Sequence, residues 1–373
     1  MKTISKLFVV AIFISSLLFS QENKVHEFKI IHDVEATPVK SQGSSGTCWC
    51  FATQSFLESE LIRMEKGTHD LSEMYVVRNI YPLKADKYMR FHGKYNFGPG
   101  GQAHDVMITI KKYGIVPQKV FPGKLANPDK HDHAELDLAL KGFLNGVTKN
   151  NRKKISDLWQ NAFNAILDVY LGENPEEFEY NGKTYTPKSF REYLGINPDD
   201  YVEFTSYSNY PFYEKVILEV PDNWSMDEYY NIPLDDFVRI AKNVLQIGYS
   251  IAWDGDTGKE HFYKEGYAVY PVEERKEDEK VTEPEEEIIV TQEIRQKGFD
   301  SYEVNDDHLM HITGLAENQN GTEFFYTKNS WGTEEKGYDG YWYMSEKYFK
   351  MKTIAFMVHK DAVPKDLREK LGF

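Results

Sequence analysis

Cys48, His308, Asn329 and Gln42 are the residues whose types could act together on a carbonyl group. Cys48 follows a loop of small residues, Gln42-Gly43-Ser44-Ser45-Gly46-Thr47, and opens a helical pattern. The positive end of a helix favours a thiolate, so a cysteine there is placed to be a nucleophile. Such a nucleophile needs a base, the base an orienting partner, and the developing oxyanion a donor. His308 begins a late strand pattern. Asn329 closes the next one, within Lys328-Asn329-Ser330-Trp331-Gly332, and Gln42 offers a side-chain amide. His311 is the rival base, but strand alternation turns it to the opposite face. The second cysteine, Cys50, lies about 200° from Cys48 around a helix and is expected in the core. The same divergence argues against a bridge between the two, and the one-residue spacer against a dithiol redox pair.

These side chains need elements to hold them. Trp49, Phe56, Leu57 and Leu61 recur at helical spacing over 48–66, with Gly67 as the stop. Two further helices are expected over 71–82 and 105–113, joined by the glycine-rich loop Phe97-Gly98-Pro99-Gly100-Gly101-Gln102. Segments 131–147 and 155–171 read as amphipathic helices, and Thr186-Pro187 as a cap before a helix over 188–194. A strand over 216–220 and a helix over 234–246 follow. The remainder is strand-rich, at 249–253, 267–270, 308–315, 324–329 and 340–344. Helices first and strands later is an α+β order. The organisation expected is a helical lobe with the nucleophile over 21–124, a helical insertion over 125–235, and a β-rich lobe with the histidine and asparagine over 236–373.

Composition limits what else the chain can do. At 373 residues and 41% hydrophobic it can bury a sizeable core. A net charge of -15 excludes a nucleic-acid backbone as the natural partner, and two cysteines exclude a disulfide framework. Residues 1–20 read as a secretory signal peptide, with Lys2 and Lys6 ahead of an apolar run over 7–19. That run is shorter than the roughly 20 residues a membrane span needs. The mature protein is expected to be exported and free of the membrane. No cofactor is expected. His131-Asp132-His133 could suggest a metal, but residues two apart on a helix diverge, so no metal site is expected. Residues 273–287 read as a solvated acidic loop. Asn223-Trp224-Ser225 is a sequon by pattern only.

The string from Gln42 to Ala52 resembles the papain-like cysteine peptidases. Thr37-Pro38-Val39-Lys40, Leu71-Ser72-Glu73, Gly100-Gly101 and Asn329-Ser330-Trp331-Gly332 resemble further family segments, in the family's order. The family spacing from cysteine to histidine and asparagine is about 130–150 residues. Here it is 260 and 281 residues, and the excess matches an insertion over 125–235. Ser44-Ser45-Gly46, Gly100-Gly101-Gln102 and His308-Leu309-Met310 are most similar to the bleomycin hydrolase and aminopeptidase C branch. The resemblance implies a two-lobed papain-like fold, with a helical lobe and an antiparallel, barrel-like β lobe.

It also implies a thiol peptidase acting on peptides or proteins through a thioester. Cys48 would be the nucleophile, His308 the base, Asn329 the orienter and Gln42 the oxyanion donor. Gly100 and Gly101 would clasp substrate, and Trp331 would shield the His308–Asn329 pair. Aminopeptidase action is implied, with endopeptidase action and a homo-oligomer left open. Thr47 and Cys50 depart from the branch's usual residues, and the tail from Val363 onward is expected to be too short for the branch's closing arm. Three other readings compete: a catalytically silent papain-fold peptide binder, a transglutaminase-like enzyme with an aspartate orienter, and a thiol redox protein.

Overall fold

The computed structural model describes residues 25–125, 129–149, 154–273, 275, 281, 283–334 and 337–373. Residues 1–20, where a signal peptide is expected, and part of the acidic stretch 273–287 lie outside the described residues.

Helices α1 (Cys48–Arg63), α2 (Glu73–Arg90) and α3 (Ala103–Tyr113) form the first layer. Helix α1 has no polar face: every residue from Cys48 to Leu61 is buried, as expected of a helix enclosed on all sides. Its polar side chains are satisfied internally. Glu58 accepts from the Lys40 ammonium at 3.0 Å, the Leu71 amide at 2.9 Å, and the Thr37 hydroxyl. Helix α2 is longer than the sequence suggests. It runs through Pro82, because Ala85 and Tyr88 beyond the proline bury their side chains and outweigh one lost backbone bond.

Segment 125–194 is largely helical. It holds α4 (Ala134–Thr148), α5 (Leu158–Leu171), the hairpin β2 (Phe178–Tyr180) and β3 (Lys183–Tyr185), and α6 (Pro187–Leu194), after strand β1 (Lys29–Asp33) at the chain start. Thr186 caps α6 through a reciprocal pair with Ser189, as its Thr-Pro start predicts. The helical character expected up to residue 235 ends here. Strands β4 (Tyr201–Thr205), β5 (Glu214–Ile217) and β6 (Glu228–Asn231) join the main sheet, β4 pairing with β13 (Thr353–His359).

Helix α7 (Leu234–Gln246) leads into β7 (Ile251–Gly255), β8 (Phe262–Tyr263) and β9 (Tyr267–Ala268). Then come α8 (Gln292–Asp300), β10 (His308–Glu317), β11 (Glu323–Lys328), β12 (Tyr341–Ser345), α9 (Glu346–Lys352) and α10 (Lys365–Leu371). Among the described residues the main sheet has eleven strands in the order β5-β6-β4-β13-β7-β10-β11-β12-β9-β8, with β1 also paired to β10. Most pairs are antiparallel; β4 with β6 and β12 with β9 are parallel. One sheet face meets the helical layer: Ala252, Leu309 and Met357 share a core with Trp49, Phe56 and Ile80. The other face packs Trp253, Met310 and Phe356 against Phe237 and Ile240 of α7. The end of α1 therefore meets β7 and β10 at the seam between the layers.

Candidate active site

The loop before Cys48 is pinned on both sides. Gly43 has φ +60°, and a Cβ there would run into the His131 carbonyl. The Ser44 amide donates to His131 O at 2.9 Å, and the His133 amide to Ser44 O at 3.0 Å. His131 and His133 thus strap the nucleophile loop through their backbones. Thr47 O accepts from the Cys50 and Phe51 amides, which starts α1. The Cys48 and Trp49 amides, in the first turn, have no partner within the helix.

Cys48 is buried at 8% exposure. Its thiol is reached by the backbone amides of Leu309 and Trp49. The Leu309 contact sets the start of β10 beside the thiol. Burial pushes the thiol up to about 12, against those two amides, and the charges of Asp254 and Asp222 push the same way. Cys50 faces the core, where its thiol donates to Glu73 O at 3.2 Å.

His308 Nε2 lies 2.8 Å from Asn329 Oδ1, and the pair is buried. The Ser330 amide donates to the same Oδ1 at 2.7 Å, which fixes the orientation of the Asn329 amide. An oxygen facing Nε2 requires hydrogen on Nε2, so Nδ1 is left as the base. The Trp331 ring lies over His308, with centroids 4.8 Å apart, and covers the pair. His311 is taken by Ser55 of α1 at 2.9 Å and is not available as a base. Burial pulls His308 down to about 4, beyond what the Asn329 bond restores. Burial thus opposes the charged form of each partner, against the helix end that favours a thiolate.

Gln42 joins the two layers. Its backbone amide donates to Ser330 O at 2.8 Å, and its Oε1 accepts from Ser330 Oγ at 2.6 Å. Its Nε2 donates one hydrogen to Ser45 O at 2.8 Å. The second amide hydrogen remains for an oxyanion.

Gly100 and Gly101 belong to the loop before α3 that packs against Trp49, whose ring nitrogen donates to Pro99 O at 2.9 Å. A Cβ on Gly101 would overlap the Asp105 carboxylate and sit 3.1 Å from the Trp49 ring. A Cβ on Gly100 would overlap the Asp222 carboxylate. Close packing therefore requires both glycines, and the Asp222 carboxylate lies against Gly100. Lys84, buried beneath, donates to Gly98 O at 2.7 Å and to Gly100 O. The sequon residue Asn223 is buried, its amide spent on Leu218 O at 3.0 Å and Asp227 O at 3.1 Å.

Sequence reasoning missed Asp254, Asp222 and Asp306. The one local cue was an acid at the end of an apolar strand, Trp253-Asp254; its register with Leu309 is set by the fold.

The Peptidase C1-like family matches residues 81–372. The chain belongs to that family. An aminopeptidase G of Lactobacillus delbrueckii subsp. lactis is 24% identical, over 90% of this chain and 83% of its own length. Bleomycin hydrolase of Mus musculus is 24% identical, over 92% and 84%. The crystal structure of pepw from Lactobacillus rhamnosis HN001 shares the fold, with TM-score 0.71 at 21% identity, over 92% of this chain and 84% of that one. The resemblance read from the sequence motifs thus holds at the level of family and fold. The Peptidase C1-like match includes His308 and Asn329 and begins downstream of Cys48. The nucleophile therefore rests on the geometry above.

Proposed function

We propose that this protein is a papain-like cysteine peptidase of aminopeptidase type that works through Cys48. The observation that carries this reading is the bonded His308–Asn329 pair, whose tautomer leaves Nδ1 as a base at the start of β10, beside the thiol. Cys48 Sγ attacks the peptide carbonyl carbon as its proton passes to His308 Nδ1. The carbonyl oxygen becomes an oxyanion and is held by the second Gln42 amide hydrogen and the Cys48 amide. His308 returns the proton to the leaving amine as the C–N bond breaks, giving a thioester. Water, deprotonated by His308, then releases the acid and regenerates the thiol.

The aminopeptidase reading takes support from relatives named aminopeptidase G, aminopeptidase C and bleomycin hydrolase. Hydrolysis of an aminoacyl fluorogenic substrate by the purified protein, and its loss in Cys48→Ala, is the expected result. Equal turnover by the variant overturns the assignment.

Export is the second part of the proposal. Two lysines followed by an apolar run support a cleaved leader over residues 1–20. An N-terminal residue near Gln21 in protein recovered from outside the cytoplasm is expected; an uncleaved cytoplasmic protein contradicts it.

A further inference from the structure

The glycine loop that packs on Trp49 is held from beneath by a buried cation. Lys84 of α2 is 1% exposed, and its ammonium donates to Gly98 O at 2.7 Å and to Gly100 O. The carbonyl between them, Pro99 O, accepts from the Trp49 ring nitrogen at 2.9 Å. Three consecutive carbonyls are therefore bonded to side chains of the helical layer.

These peptide bonds are trans, so each C=O and the N–H that follows it point in opposite directions. With Gly100 O turned to Lys84, the Gly101 amide points away from Lys84. With Pro99 O turned to the Trp49 ring, the Gly100 amide points away from that ring. Neither amide has an acceptor among the described residues, although Gly101 is buried. A buried amide without an acceptor is costly and is expected to find one. Trp49 follows Cys48 directly, so the loop stands beside the nucleophile. A backbone carbonyl of a bound peptide is an acceptor of the right kind.

Lys84 is an unusual tie for a loop. Lys40 meets Glu58, Asp70 and Glu73 at 3.0, 2.6 and 2.7 Å. Lys84 has no carboxylate at such a distance among the described residues. Burial pulls its pKa down, and the charges of Asp105, Asp222 and Asp137 oppose that from further away. A buried ammonium without a directly paired acid adds little to stability. What Lys84 supplies is the shape of the loop.

We propose that Lys84 is a positioning residue for substrate binding, which keeps the Gly101 amide turned toward a backbone carbonyl of the bound peptide. This rests on the peptidase reading and names the residue that shapes its peptide-binding loop.

The test compares two reagents that alkylate Cys48: a peptidyl epoxide, which needs the loop, and iodoacetamide, which carries no peptide. Lys84→Met keeps a side chain of similar length and removes its donors. It is expected to raise KI for the epoxide about 10-fold, the size of one lost hydrogen bond. The maximal inactivation rate and the iodoacetamide rate are expected to stay unchanged. A merely structural role would slow both reagents together or neither, and either result overturns the proposal. Where Lys84→Met does not fold, hydrogen exchange of segment 97–102 in the wild-type protein decides. Slower exchange in the epoxide adduct than in the iodoacetamide adduct supports the proposal, and equal exchange overturns it. An epoxide that never labels wild-type Cys48 overturns the peptidase reading, and this proposal with it.

Discussion

The two sides of Cys48 are built on opposite rules. On the His308 side the catalytic groups are held by bonds made within the fold, His308 by Asn329, Asn329 Oδ1 by the Ser330 amide, and Gln42 by Ser330 Oγ and Ser45 O, with Asn329 Nδ2 left buried without a partner. On the Gly100 side Asp254 is buried beside the acids Asp306 and Asp222, with the Gln102 side chain hydrogen-bonded to it. A bonded pair fixes geometry before substrate arrives, which catalysis needs. A buried acid beside other acids is instead driven toward its neutral form.

The strongest break on the His308 side is Cys48→Ala, expected to cut kcat by ~10⁴-fold or more, as when the nucleophile of a triad is removed. A steady-state assay of the aminoacyl substrate checks it. Gln42→Ala is expected to cost ~10²-fold in kcat with KM nearly unchanged, because its free amide hydrogen is used only in the transition state. A rise in KM at constant kcat would place Gln42 in ground-state binding instead.

On the acidic side, His104 shows what a satisfied charge looks like. Burial would lower its pKa, but Glu203, at 2.7 Å, outweighs burial and raises it to about 9. Its folded value lies above its unfolded value of 6.5. The pair therefore stabilises fully below about pH 6.5, and that contribution is lost as pH rises through about 9. His104→Gln is expected to lose on the order of 3 kcal/mol at pH 6 and little at pH 10. Denaturant melts at the two pH values measure it.

Asp254→Asn should do the reverse and raise stability by about 1 kcal/mol near neutral pH, since it removes a buried acid whose ionisation burial and the neighbouring acids Asp306 and Asp222 oppose. A lower melting temperature would mean that the fold itself uses the carboxylate. The smallest effect expected is that of Cys50→Ala. Its thiol makes one weak bond to Glu73 O, so about 1 kcal/mol is lost and turnover is kept. Comparable losses of turnover at both cysteines would erase the distinction between them.

The His308 side was legible in the sequence and the acidic side was not, for a physical reason. Catalytic side chains of fixed type must stand at element ends, so Gln42, Cys48, His308 and Asn329 show as motifs at loop–helix and strand boundaries. Helix α6 was legible for a similar reason, because Thr186-Pro187 is a local signal. Asp254, Asp222 and Asp306 come from three distant segments and meet only through the register of β7 with β10 and the packing of 222 over Gly100. No local pattern encodes such a meeting. Strands β4 and β6 were hidden in the same way, because their aromatic and acidic residues alternate weakly and are decided by pairing with β13 and with one another, whereas β5 overlaps the strand expected over 216–220. Helix α8 escaped because its polar sequence carries little periodicity; its capping Thr291 was the one cue.

The most direct test of the account is to treat the purified protein with a cysteine-directed epoxide and map the adduct by mass spectrometry while following turnover. One adduct per chain on Cys48, with Cys50 unmodified and activity lost in proportion to labelling, is the predicted result. Activity that survives full labelling of Cys48, or labelling confined to Cys50, would contradict it.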